Sequence, residues 1–304
     1  MKGAVIVVMP LKTRHPVKRR TIRSNILQVV HHFQRFPLFA WHMRAIFLTL
    51  CWLVVVPVFA QEFETVLMVS IDALHPAALS EKTSPALLRL MRSGRHTLEG
   101  RSVTPPLTLI AHTAMMTGLN PKESGKQDND WKPGMSQVER ETLLDVARRH
   151  DFQTAFFYAK QKLGYLISPA VGESALARDD GIDRARVFFG KPGRSFVFLH
   201  ISGLEDAGAE SGWLSADYLG ELTHIDQTLA PLFAQVSQRG AYLIIVTSDH
   251  AGHDRQHGTS DPDDFRLPLI MAAARPLPAL DPGVFYLTSL KSMVTNLLAP
   301  ALAR

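Results

Sequence analysis

Between Ser248 and Gly258 the chain reads Ser-Asp-His-Ala-Gly-His-Asp-Arg-Gln-His-Gly, which sets three histidines and two aspartates within nine positions. Carboxylate oxygens mixed with imidazole nitrogens suit Zn²⁺ or Mn²⁺. The competing reading of this stretch alone is a polar loop whose histidines are merely solvated. Further acids at other strand ends weigh against it. Asp72 ends the apolar run Val66-Leu67-Met68-Val69-Ser70-Ile71, and Asp206 comes a few residues after Phe196-Val197-Phe198-Leu199-His200-Ile201. Asp249 and His250 themselves follow Leu243-Ile244-Ile245-Val246-Thr247-Ser248. A carboxylate or imidazole just past an apolar strand is costly unless it pairs or binds a cation. Three strand ends of this kind predict a metal cluster.

The second candidate is Thr104-Pro105-Pro106-Leu107-Thr108, which leads into Leu109-Ile110-Ala111-His112-Thr113-Ala114-Met115-Met116-Thr117-Gly118. Thr108 falls at or just before a helix start, where unpaired N–H groups and the positive dipole end favour an anion. A threonine there commonly caps the helix. Its hydroxyl could instead be a metal-activated nucleophile with a phosphate received at the helix start, and the two roles are compatible.

The elements that would position these groups alternate along the chain. Runs rich in β-branched or aromatic residues predict strands at Thr65 to Ile71, Phe152 to Tyr158, Phe196 to Ile201, Tyr242 to Thr247 and Leu267 to Ala272. Helix-period stretches lie between and after them at Ser84 to Arg92, Ile110 to Met116, Val138 to His150, Ser215 to Ser237 and Ser289 to Leu298. Continuous apolar strands alternating with helices imply an α/β domain with a mostly parallel central sheet and helices on both faces. Ligands of such sheets bind beyond the carboxyl ends of the strands, where Asp72, Asp206, Asp249 and His250 fall.

Taken together, Val69-Ser70-Ile71-Asp72, Thr108 ahead of Met116-Thr117-Gly118-Leu119-Asn120-Pro121, Asp128-Asn129 and Thr247-Ser248-Asp249-His250 resemble the alkaline phosphatase superfamily. The resemblance is greatest to its type I phosphodiesterase/nucleotide pyrophosphatase branch and spans residues 64 to 299, nearly all of the chain beyond its leader. It implies an alkaline-phosphatase-like fold, with cap insertions reduced because the chain is short for that branch. It also implies that Thr108 is the nucleophile and that Asn129 bonds a phosphoryl oxygen. Asp72, Asp249 and His250 would hold one divalent ion and His257 would help hold another, Zn²⁺ or Mn²⁺ in each case.

One departure concerns the second ion, for which the family has an Asp-x-x-x-His pair. Here the segment is Glu205-Asp206-Ala207-Gly208-Ala209-Glu210-Ser211-Gly212-Trp213. Pairing Asp206 with the residue four on gives Glu210, whereas aligning Gly208, Gly212 and Trp213 gives Glu205 and Ala209. Neither supplies the histidine, so the second site is expected to be oxygen-rich, weak or absent. The ligand set expected on these grounds is Asp72, Asp249, His250, Asp206 and His257, with Glu210 the weakest member. His112 and His200 are expected to satisfy local hydrogen bonds, Trp213 to pack, and Lys122 and Lys126 to be ordinary.

The function implied is an exported, metal-dependent phosphoester hydrolase acting on small molecules through a phospho-threonine. The alternatives are a monoesterase or sulfatase of the same superfamily, or a non-catalytic metal- or ligand-binding relative. The segment Lys122 to Met135 is the expected specificity element.

Charge separates the N-terminal piece from the rest. Residues 1–60 carry nine basic residues and no acid, which leaves 24 basic against 28 acidic side chains in residues 61–304. A basic nucleic-acid-binding face is therefore disfavoured and no duplex partner is expected. With 46% hydrophobic and 20% charged residues, disorder over the whole chain is excluded. From Met43, a basic start, an apolar run over 45–60 and Val58-Phe59-Ala60 predict a signal peptide. Residues 1–42 then form a basic extension or precede the true start, and 61–304 form one hydrolase domain exported to the periplasm. An uncleaved anchor over 45–60, facing outward, is the alternative. The single cysteine, Cys51, excludes an intrachain disulfide and any cysteine-based zinc site.

Overall fold

Seven consecutive buried residues, Thr65–Ile71, form β1 at the middle of an eight-stranded sheet. The structure is a computed structural model that describes residues 62–281 and 283–299. The expected extension, signal peptide and anchor lie outside the described residues. In chain order the other elements are α1 (Pro85–Ser93), β2 (Arg95–Arg101), α2 (Thr108–Thr117), α3 (Pro121–Ser124), α4 (Leu143–Arg149), β3 (Gln153–Tyr158) and β4 (Glu173–Leu176). They continue with α5 (Gly181–Phe189), β5 (Ser195–Ile201), α6 (Gly203–Ser211), α7 (Ala216–Ser237), β6 (Tyr242–Thr247), β7 (Arg266–Ala273), β8 (Phe285–Tyr286) and α8 (Leu290–Leu298).

The strand order is β4-β3-β5-β1-β6-β7-β2-β8. The first five strands of that order are parallel, β7 runs antiparallel to both β6 and β2, and β8 returns parallel to β2. Successive side chains of a strand point to opposite faces, and β1 divides accordingly. Leu67, Val69 and Ile71 share one buried cluster with residues of α1, α5 and α7, among them Leu87, Phe188 and Leu229. Val66 and Met68 share the cluster on the opposite face with residues of α2, α4 and α8, among them Met115, Leu144 and Val294. The mostly parallel sheet with helices on both faces is the expected architecture.

Three departures from the expected elements have local causes. The helix expected over 138–150 begins only at Leu143, because Thr142 Oγ1 accepts from Asp145 N and the Asp145 carboxylate accepts from Thr142 N, closing a capping box. Strand β2 reads Arg-His-Thr-Leu-Glu-Gly-Arg and is largely solvent-facing, so no apolar run announces it. Helix α6 is short, with Leu204 and Gly208 as its buried residues, and carries no apolar period.

Candidate metal centre and nucleophile

Strands β3, β5, β1 and β6 lie side by side, run parallel and end on one edge of the sheet. Just past those ends come Lys160 from β3, Glu205 from α6 after β5, Asp72 from β1, and Asp249 with His250 from β6. Beside them Thr108 opens α2, preceded by Leu107 at the N-cap position. Thr108 is thus the first residue of the helix and not its cap, which leaves the hydroxyl free for other partners.

His250 Nε2 lies 3.4 Å from Asp72 Oδ1 and 3.5 Å from Asp249 Oδ2. All three atoms are buried, and none has a hydrogen-bond partner. Buried polar atoms are ordinarily satisfied, so three that face one another call for a cation. The ring orientation suits this: His250 Nδ1 donates to the Ala251 carbonyl at 2.8 Å, which leaves the Nε2 lone pair toward the carboxylates. Two carboxylate oxygens and one imidazole nitrogen fit a divalent ion such as zinc. Burial disfavours a charged His250, but Asp249, Glu205 and Asp72 overcome it and hold its pKa up to about 9. Burial likewise opposes ionisation of Asp72, yet the Lys160 ammonium, the His200 hydrogen bond and His250 keep its carboxyl well below the usual range.

A further layer fixes these groups. His200 Nδ1 accepts from Ala159 N at 3.2 Å, so its Nε2 carries the hydrogen and donates to Asp72 Oδ2 at 3.0 Å. His112 donates from Nδ1 to the Thr108 carbonyl at 2.7 Å and accepts from Ser70 Oγ at 2.9 Å. Burial pushes its pKa down to about 4, so it is neutral, and its Nδ1 lies 3.4 Å from Asp249 Oδ2. The turn after β1 places Ala73 at φ 64°, a left-handed conformation that costs on the order of 1–3 kcal/mol for a residue with a side chain. It is held by Tyr218, whose hydroxyl donates to Ala73 O at 2.6 Å and accepts from His75 N at 2.9 Å.

The second group of possible ligands is Glu205, His250 and His257. His257 Nε2 lies 3.9 Å from Glu205 Oε1, and its ring stacks on His250 with centroids 4.5 Å apart. Lys160 also enters here. Its Nζ sits 2.6 Å from Asp72 Oδ2 and 3.2 Å from Thr108 Oγ1, and it pairs closely with Glu205 Oε2. Thr108 Oγ1 in turn donates toward Glu205 Oε2 at 3.5 Å. The two carboxylates beside Lys160 outweigh its partial burial and raise its pKa above the ordinary lysine value.

Asp206 and Glu210 stand apart from this group. On α6 they follow Glu205 by one and five residues, and Glu210 is exposed. One residue turns the side chain by roughly 100° around a helix. Asp206 consequently faces a neighbouring cavity of about 850 Å³ instead of the ligands. Ala209, one turn after Glu205 and exposed, offers no ligand atom.

Helix α6, which carries Glu205, is held against the Asp249–His257 loop by Trp213. A Cβ on Gly208 would come within 2.8 Å of its indole and one on Gly252 within 2.4 Å, so both glycines permit the ring to lie between α6 and the loop. Trp213 N donates to Asp254 O at 2.7 Å, which ties the same two segments together.

Asn129 Oδ1 accepts from Leu109 N at 2.8 Å, engaging one of the free N–H groups at the start of α2 and leaving the amide hydrogens of Asn129 as donors. The loop carrying it is braced by Lys126, whose Nζ donates to Asp128 Oδ1 at 2.8 Å and to Asp130 O at 2.7 Å. Lys126, expected to be ordinary, is 7% exposed and organises this loop. The 850 Å³ cavity opens beside the centre, sharing Lys160 and His200 with it, and is bounded by Trp131, Lys132 and Arg178.

The family model for type I phosphodiesterase / nucleotide pyrophosphatase matches residues 66–260, a span that runs from β1 through the loop bearing His257. The chain belongs to this family. Among curated proteins, it is 31% identical over 98 residues to GPI ethanolamine phosphate transferase 1 of Yarrowia lipolytica, covering 29% of this chain and 10% of that one. The matching stretch is thus a small part of that relative. Among solved structures, a 2-O GAG sulfatase superposes with TM-score 0.66 at 10% identity, over 79% of this chain and 72% of the other. The C-terminal periplasmic domain of EptC from Escherichia coli gives 0.57 at 14% identity, over 79% and 83%. Murine ectonucleotide pyrophosphatase / phosphodiesterase 5 gives 0.52 at 19%, over 63% and 57%. These likenesses show the alkaline-phosphatase-like fold, and the Escherichia coli domain is also known in complex with zinc.

Proposed function

We propose that the chain is an exported, metal-dependent phosphoester hydrolase of the diesterase or pyrophosphatase type, with Thr108 as its nucleophile. The observation that carries this reading is the convergence of three unsatisfied buried atoms, Asp72 Oδ1, Asp249 Oδ2 and His250 Nε2, beside a hydroxyl at a helix start. The divalent ion held by Asp72, Asp249 and His250 would supply Lewis acidity, lowering the pKa of the Thr108 hydroxyl and polarising the phosphoryl group. Thr108 Oγ1 attacks phosphorus in line, the bond to the leaving oxygen breaks, and a phospho-threonine forms that water then cleaves. The hydroxyl proton faces Glu205 Oε2, and the ammonium of Lys160 donates to the attacking oxygen. The amide hydrogens of Asn129 and the remaining N–H groups of α2 would receive the equatorial oxygens.

Family membership supports phosphoester chemistry, and the Escherichia coli neighbour, named as a periplasmic domain, supports export. Among the described residues no helix is long and apolar enough to cross a membrane. The substrate would be a small phosphoester whose leaving group occupies the cavity beside Trp131 and Lys132. Neighbours named as a sulfatase and a phosphate transferase make sulfate esters and transfer to an acceptor alcohol the second set of substrates to try.

Thr108→Ala should lower turnover of an aryl phosphate diester by about 10⁴-fold or more, a loss of the size seen when a nucleophile is removed. Turnover at the wild-type rate would sink the assignment. The missing histidine at position 209 favours the rival reading of a non-catalytic relative. A chain that binds zinc yet turns over no phosphate mono- or diester, sulfate or phosphonate in a screen with added Zn²⁺ and Mn²⁺ would establish that rival.

A further inference from the structure

The two groups of ligands share one histidine. His250 Nδ1 is committed to the Ala251 carbonyl, so a single lone pair on Nε2 must serve both, and with Asp72 and Asp249 it completes the first set. The second set is then reduced to Glu205 and His257, and Glu205 Oε2 already carries an ammonium. We infer that Lys160 is a built-in cation standing in for the second metal ion of the family, so that the centre holds one divalent ion per chain. This rests on the proposed function only in assuming the ion at Asp72, Asp249 and His250.

Charge balance supports the arrangement. Asp72, Glu205 and Asp249 contribute three negative charges and Lys160 one positive charge. One divalent ion brings that enclosure to neutrality, whereas two would leave a net +2 among mostly buried groups, which is unfavourable without further anions. The ammonium also sits where a second ion's charge would be useful. It donates to Thr108 Oγ1 at 3.2 Å, so it can stabilise negative charge on the attacking oxygen and draw a phosphoryl oxygen toward itself. Lys160 lines the wall between the centre and the 850 Å³ cavity, through which a substrate would approach. The alanine at 209, which offers no ligand atom, and the ammonium on Glu205 are two sides of one arrangement.

The test is metal stoichiometry of the full-length chain, read by elemental analysis after equilibration with excess Zn²⁺ and by electron paramagnetic resonance after loading with Mn²⁺. The wild type should hold one ion per chain and give the six-line spectrum of isolated Mn²⁺. Ala209→His alone should stay at one ion, because the ammonium still occupies Glu205. Lys160→Met combined with Ala209→His should rise to two, with the spectrum of a spin-coupled pair. Two ions in the wild type would overturn the inference while leaving the hydrolase reading intact. A double variant that folds, by circular dichroism, and still holds one ion would overturn it as well. A wild type that binds no ion removes the first site too, a failure of the functional reading that the stoichiometry distinguishes from the other two.

Discussion

The two sides of the centre are built to different standards. On one side Asp72, Asp249 and His250 are fully buried, their ligand atoms face one another, and His200, His112 and the Ala251 carbonyl fix each ring and carboxylate. On the other, Glu205 and His257 are partly exposed, lie 3.9 Å apart from Oε1 to Nε2 and, among the described residues, have no third ligand beyond the shared His250. Rigidity is concentrated on the first side. A site that must bind an ion from water needs its ligands pre-arranged and their other hydrogen bonds filled, and this holds for the first side only. The largest effect expected from this contrast is on metal retention. Asp249→Asn should strip the ion, lowering affinity by more than the ~100-fold that loss of a supporting hydrogen bond brings, and abolish turnover with it. Glu205→Gln should keep the ion and lower turnover by about 100-fold or more, because it disturbs Lys160 and the proton of Thr108 while Asp72, Asp249 and His250 all remain. Equal loss of zinc from the two variants, measured by competition with a chelator, would erase the asymmetry.

An intermediate effect should come from the layer behind the ligands. His200→Phe removes the Nε2–H that donates to Asp72 Oδ2 and the Nδ1 that accepts from Ala159 N. Zinc affinity is expected to fall about 10–100-fold, with Thr108 and the fold unaltered. An unchanged affinity would mean that Lys160 alone orients Asp72. Since Ala159 immediately precedes Lys160, the same histidine also anchors the chain that presents the ammonium, and a combined His200→Phe, Lys160→Met variant should lose less than the product of the two single effects.

Much of this was open to a reader of the sequence, for reasons that also explain the omissions. Asp72, Asp249 and His250 follow apolar strands directly, and β1, β5 and β6 are plain because buried parallel strands are continuous apolar runs. The same rule applied to β3 points to Lys160, two residues past Tyr158, but a lysine is not a metal ligand and nothing in the local sequence marks it as a partner of Asp72. Glu205 and Asp206 are adjacent, and only the rotational setting of α6 decides which of them meets His257. That setting comes from Trp213 wedged between Gly208 and Gly252, a contact between segments some forty residues apart that no local pattern reveals. His200 looks like a strand histidine until its neighbour is known, since Ser70 and His200 face each other across β1 and β5. Strand β2 is not announced by the sequence because its residues are polar and partly solvated, nor is β8, because two residues carry no period.

The smallest effect expected lies in the loop that carries His257, on the less rigid side. Asp264 is buried and clasps this loop, accepting from Thr259 N at 2.7 Å, from Thr259 Oγ1 at 2.8 Å and from His253 Nδ1 at 2.7 Å. The hydrogen bond to Asp264 is the main cause that raises the pKa of His253 above its ordinary 6.5. A histidine whose folded value is raised contributes stability that is fully present below the unfolded value of 6.5 and is lost as pH climbs through the folded one. In the zinc-loaded protein, where His250 would offer its Nε2 lone pair to the ion and carry no proton there, amide exchange in residues 251–264 should therefore quicken, beyond its intrinsic base dependence, as pH rises above 6.5, while residues around Asp72 should show no matching change. His253→Gln should flatten this excess without displacing Asp264 from Thr259, whose backbone N and Oγ1 both donate to it. An excess that persists in His253→Gln would assign the loop's pH response to a group other than this pair, and an equal excess on the Asp72 side would show that the two halves of the centre open together.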